Sequence, residues 1–219
     1  MTRQFTLAIL CLFLLLRPEN SWADKFYRVV VFGDKVTAGK HAQRDDVFHA
    51  QLKRRLREVG YDRVDVVNLS KPDATVASAT QDVELVRFEQ PDVVIIMLGM
   101  NDISRRVLPE STQSSLTHIV KGLKPLNAYI ILVGMVPPAS MGEQYVHQMQ
   151  VAYQAVATEQ QVAFYADALA GVRDNPSRTM ADGVSPNAVG IKIMVEHLLP
   201  LVDTGLRWRY ELSRWEQAN

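Results

Sequence analysis

Cysteine is almost missing from this chain. Its 219 residues include one, Cys11, and that one lies in an N-terminal apolar stretch from Phe5 to Leu16. Arg3 gives the stretch a positive start, Arg17 closes it, and Ser21-Trp22-Ala23 follows with the small-x-small pattern of a cleavage site. This is the layout of a secretory signal, and the apolar run is short for a bilayer span. The leucine at position 10, just before Cys11, stands where a lipoprotein signal needs a small residue. Residues 1–23 are therefore expected to be a signal peptide and Asp24 the first residue of an exported chain, periplasmic or secreted. Without Cys11 that chain has no thiol, which excludes disulfides, thiolate nucleophiles and cysteine metal sites.

Other absences narrow the function further. Twenty-four lysines and arginines balance 24 aspartates and glutamates, so no global field draws in nucleic acid. The basic run Lys53-Arg54-Arg55-Leu56-Arg57 reads as the solvated face of a helix. No glycine-rich phosphate loop and no side-chain cluster with metal-ligand spacing is found, so neither cofactor nor metal is expected. Met97, Met100, Met135 and Met141 read as core and cleft lining.

What is present is an alternation of strand and helix. Apolar runs predict strands over Tyr27 to Phe32, Val64 to Leu69, Val93 to Leu98, Tyr129 to Val136 and Val162 to Ala166. Helices are predicted from about Asp45 to Val59, capped by Asp45 or Asp46, then from Thr75 to Glu89, Glu110 to Leu123 and Glu143 to Gln160. A last helix starts near Pro186-Asn187 and runs past Leu201. Right-handed crossovers make this a three-layer α/β/α sandwich, a flavodoxin-like doubly wound sheet of five parallel strands. Residues 24–204 form one domain, and 205–219 extend the last helix.

In such a fold chemistry belongs to the loops at the carboxyl ends of the strands. Four of them read Gly33-Asp34-Lys35, Ser70-Lys71-Pro72-Asp73-Ala74-Thr75, Gly99-Met100-Asn101-Asp102 and Asp182-Gly183-Val184-Ser185-Pro186-Asn187. In this order they resemble the SGNH (GDSL) hydrolase family, near its exported thioesterase, lysophospholipase and arylesterase branch. Val133-Gly134-Met135, Pro137-Pro138 and Gly142 agree with it, as does the closing Pro186-Asn187-Ala188-x-Gly190. The resemblance implies an acyl hydrolase: a serine in the first box attacks an ester, a histidine oriented by an aspartate takes its proton, and an oxyanion is held by a backbone N–H, a glycine N–H and an asparagine amide.

Carried over by residue, the nucleophile position is Lys35, the glycine position Asp73, the asparagine Asn101, the aspartate Asp182 and the histidine Ser185. Asn101 and Asp182 keep the family residue. Lys35 is no turnover nucleophile for acyl groups, and Ser185 is no base near neutral pH. Loss of either member of such a unit forfeits nearly all its advantage. The expectation is a catalytically degenerate relative in which Lys35 pairs with Asp182. That pair simply fills the site, or the ammonium and the Asn101 amide bind a small acyl, carbonyl or anionic ligand. An alternative is an active hydrolase with Ser185 as nucleophile and Lys35 as its base. A relocated histidine base must come from His41, His49, His118, His147 or His197, of which His41 follows the first box and the rest fall on predicted helices. Asp34 and Asp102 are expected to support turns and helix starts. Trp208, Leu212 and Trp215 fall on one helical face, for packing against the domain or for contact with a protein or membrane surface.

Overall fold

The computed structural model describes residues 25–39 and 45–218. The signal segment with Cys11, and His41, lie outside the described residues. Five parallel strands, β1 (Tyr27–Gly33), β2 (Val64–Asn68), β3 (Val93–Met97), β4 (Tyr129–Val133) and β5 (Ala163–Tyr165), form one sheet in the order β2-β1-β3-β4-β5. This is the doubly wound order expected, with the switch point between β1 and β3. Val29 pairs with both Val66 and Val93 across its two neighbours. All five residues of β3 are fully buried, as a central strand covered on both faces requires.

Helices cover both sides. On one, α2 (Phe48–Glu58) packs against the long C-terminal helix α8 (Ala188–Ala218). On the other, α6 (Pro109–Leu123) packs against α7 (Glu143–Gln160) and the short α3 (Val76–Ala79). Two single-turn helices, α1 (Lys35–Ala38) and α5 (Met100–Ser104), begin within two or three residues of the ends of β1 and β3, and these position the site. In α2 the i, i+4 series Phe48, Leu52 and Leu56 is buried, each side chain contributing about 1.5–3 kcal/mol.

Several boundaries differ from expectation. α2 starts at Phe48, not Asp45, because Val47 is extended and Asp46 offers its backbone carbonyl, not its carboxylate, to Gln51. The helix expected from Thr75 to Glu89 is broken into α3, a 3₁₀ turn over Thr80–Asp82, and α4 (Val83–Phe88). The Thr80 hydroxyl donates to the Ala77 carbonyl at 2.7 Å and Lys71 grips Asp82 at 2.6 Å, local bonds that compete with a continuous helix. β4 stops at Val133, since a Cβ at Gly134 would sit 2.3 Å from the Ala166 carbonyl and Pro137 and Pro138 cannot extend a ladder. α8 starts at Ala188, with the Asn187 side chain accepting from the Val189 and Gly190 N–H groups.

Residues 205–218 are the last part of α8. Gly205 lies against the Tyr129 ring, and Trp208 approaches that ring with centroids 5.8 Å apart. No helix among the described residues is long and apolar enough to cross a membrane.

Gly99 is the tightest point between β3 and its loop. Its φ is 126°, and an added Cβ would meet the Tyr153 hydroxyl at 1.9 Å, where that hydroxyl donates to the Leu98 carbonyl. Gly99→Ala is expected to lower unfolding free energy by ~3 kcal/mol or more, and Gly99→Ala/Tyr153→Phe to recover part of the loss. Urea denaturation of the set as a double-mutant cycle checks this; equal losses in the single and double variants would place the strain elsewhere.

Candidate active site

Asp34 organises the carboxyl end of the sheet. It is fully buried between the end of β1 and the start of α5. One carboxylate oxygen accepts from the Val36 N–H at 3.1 Å, and the other from the Gly99 and Met100 N–H groups at 2.9 and 2.7 Å. Its backbone N–H donates to the Met97 carbonyl. Burial pushes its pKa up to about 6 against the pull of these N–H donors. Asp34 is thus a structural clasp, as its place in the first box suggests.

Lys35 follows it, half-buried. Its ammonium donates to the Ser104 hydroxyl at 3.2 Å, and Ser104 in turn donates to the Met100 carbonyl at 2.8 Å. The ion pair expected between Lys35 and Asp182 is not formed. Asp182 is instead claimed by its own loop: one oxygen accepts from the Val184 and Ser185 N–H groups, and the other from the Ser185 hydroxyl at 2.6 Å. Burial works against the Asp182 charge. The Ser185 and Val184 hydrogen bonds and the Lys35 charge outweigh it and hold the carboxyl below its ordinary value. Lys35 therefore stands within electrostatic reach of Asp182 without touching it. The physical reason is sequence distance: Ser185, three residues away, satisfies the carboxylate before a side chain from another loop can.

The same bonds weigh against a Ser185–Lys35 dyad. Ser185 gives its proton to a weakly basic carboxylate, and the Lys35 ammonium points its hydrogen bond at Ser104. Nor does Ser104 take over as nucleophile, because its proton goes to a backbone carbonyl while it accepts one from lysine, the reverse of what a base requires.

Asn101 is buried, and its amide nitrogen donates to the Pro72 and Ala74 carbonyls at 2.8 Å each. Both hydrogens are committed, so the amide offers none to an oxyanion. Next to it, Asp102 accepts from the Val76 N–H at 2.9 Å, and its other oxygen is buried without a partner. Burial raises its pKa against that N–H bond. The third box thus holds the loop of the second. Asp73 is exposed and lines a surface depression of about 380 Å³ with Lys71, Pro72 and Ser78, among others, a lining that includes neither Lys35 nor Ser185.

The described histidines fall on helices as expected. His49 is half-buried on α2, and His118, His147 and His197 are exposed on α6, α7 and α8. Met97, Met100 and Met135 are core residues, and no metal-ligating cluster occurs among the described residues.

A profile of the GDSL-like lipase/acylhydrolase family matches residues 31–193. The chain belongs to this family. The esterase TesA of Pseudomonas aeruginosa is 28% identical over 191 residues, which cover 87% of this chain and 93% of its own. An arylesterase of Vibrio mimicus is 29% identical over 178 residues, 81% of this chain and 87% of its own. The crystal structure of TesA aligns with a TM-score of 0.77 over 81% of this chain and 99% of that one, at 28% identity. As a GDSL-family protein the chain keeps the family scaffold. Ser104 escaped the sequence reading. Its one available signal was its position three residues after Asn101, on the same face of a single-turn helix.

Asp34→Asn replaces an acceptor by a donor facing backbone N–H groups, and should cost about 2–3 kcal/mol near neutral pH. The native carboxyl has a raised folded-state pKa, so the folded protein binds that proton more tightly than the unfolded chain. Its contribution is fullest below the ordinary value of 3.8 and is lost as pH rises through about 6. The stability gap between native protein and Asp34→Asn should therefore narrow from pH 4 to pH 7 and stay level above. Denaturation across that range tests it, and a gap that widens with pH would contradict the assignment.

Proposed function

We propose that this protein is an exported, catalytically silent member of the GDSL family that keeps the fold and a ligand site without acyl-transfer machinery. The observation that carries the reading is the engagement of every group the reaction would need. The nucleophile position holds an ammonium bonded to Ser104. The base position holds a hydroxyl bonded to Asp182. The asparagine that would steady an oxyanion donates both amide hydrogens to the second-box loop. An amine that did attack an ester would form an amide and stop. Export is supported by the charge, the short apolar run and the small-x-small site of residues 1–23.

Purified native protein is expected to hydrolyse p-nitrophenyl and thioester acyl substrates no faster than the Lys35→Met/Ser185→Ala variant, under conditions where a competent relative turns over. Lys35→Ser/Ser185→His restores two of the missing groups but leaves Asn101 engaged, so it should gain weak turnover at most, and adding Asp73→Gly should raise it. Robust native turnover lost on truncating Lys35 or Ser185 would refute the reading. Mass spectrometry of protein recovered from the export fraction should place its first residue at Asp24.

A further inference from the structure

We infer that the Lys35 ammonium is the recognition group of a site for a monocarboxylate, an organic acid in its ionised form. The inference rests on the silent-site reading and names the ligand class of that same site.

The first ground is a charge with no contact ion pair. Lys35 is half-buried, and its one hydrogen-bond partner among the described residues is a neutral hydroxyl. Each carboxylate that could neutralise it is engaged elsewhere. Asp182 accepts three hydrogen bonds from its own loop. Asp34 is buried and turned to the backbone of Val36, Gly99 and Met100, and Asp102 to that of Val76. A cation drawn partly out of water, touched by no carboxylate among the described residues and acted on by Asp182 only from a distance, favours an anion in direct contact from solution.

The second ground is orientation. An ammonium has three donors. One is spent on Ser104, whose own hydroxyl is pinned to the Met100 carbonyl, so a long flexible side chain is held in one pose with two donors to spare. Fixing that pose in advance removes part of the entropy cost of binding.

The third ground is selectivity. A charge-assisted hydrogen bond is roughly twice as strong as a neutral one, and Asn101 has no donor left for a carbonyl oxygen, so the site prefers an acid to its ester or amide. Asp182 is exposed and electrostatically coupled to Lys35. Its negative charge repels any anion brought to the ammonium, and a dianion about twice as strongly as a monoanion, which favours a monocarboxylate over phosphate.

Calorimetric titration of the native chain with butyrate, octanoate, octanamide and inorganic phosphate tests this. Saturable binding of at least one of the two acids is expected, weakened by added salt, with octanamide and phosphate ~10-fold weaker or undetected. Lys35→Met and Lys35→Gln should weaken acid binding ~10-fold or more, and Ser104→Ala several-fold, with circular dichroism showing each variant folded; two neutral replacements guard against one failing to fold. Octanoate binding without butyrate binding assigns an apolar contact to the tail; equal binding assigns recognition to the carboxylate alone. Either supports the inference. No saturable binding of either acid, equal binding of octanoate and octanamide, or binding unchanged in the Lys35 variants would overturn it. Ester turnover by the native protein would defeat the silent-site reading instead, a separate readout on the same sample.

Discussion

One buried carboxylate ties the carboxyl end of this sheet together. Asp34 leaves β1 and bonds the N–H groups that open α5 after β3, across the switch point where neighbouring loops diverge. Gly99 must adopt a positive φ and lie against Tyr153 for its N–H to reach that carboxylate. Once Met100 is fixed, Asn101 and Asp102 are aimed at the second-box loop, and Ser104 is aimed at Lys35 by its bond to the Met100 carbonyl. The geometry of three boxes thus follows from a group that touches no ligand. The residues that build this end of the sheet and the side chains it presents are thus different.

The fourth box behaves otherwise. Asp182 and Ser185 form a closed local loop, joined by the short hydroxyl-to-carboxylate bond and by the bond of the Met180 N–H to the Ser185 carbonyl. Serine at 185 is short enough to fold back onto the aspartate. The charge that Asp182 might have offered Lys35 is thereby consumed within three residues.

Much of the fold was legible because it rests on periodicity. Continuous apolar runs marked the five strands, and the i, i+4 spacing of Phe48, Leu52 and Leu56 marked a buried helical face. The errors sit where short polar bonds decide. The Thr80 hydroxyl breaks a helix that hydrophobic spacing would continue, and Val47 starts one that Asp45 or Asp46 seemed placed to cap. At the candidate site, the order of the four boxes was legible, but partner choice was invisible. Opposite charges suggested Lys35 with Asp182. The actual partner of Lys35 lies 69 residues along the chain and is neutral. A nearby hydroxyl outcompeted a distant ammonium for the same carboxylate, and no property of either residue taken singly reveals that competition.

The substitutions also constrain one another. A serine at position 35 beside a serine at 185 would leave a nucleophile without a base, exposed and idle. A lysine there with histidine at 185 would set two cations against one aspartate, and each would disfavour the other's charge. Lysine with serine avoids both problems: Asp182 is satisfied by a neutral donor, and the ammonium keeps its charge without a rival. The pair is therefore self-consistent as it stands, a lysine bonded to a neutral hydroxyl beside a locally satisfied carboxylate. Asn101 donates both amide hydrogens to the Pro72 and Ala74 carbonyls and so stiffens the loop of the second box.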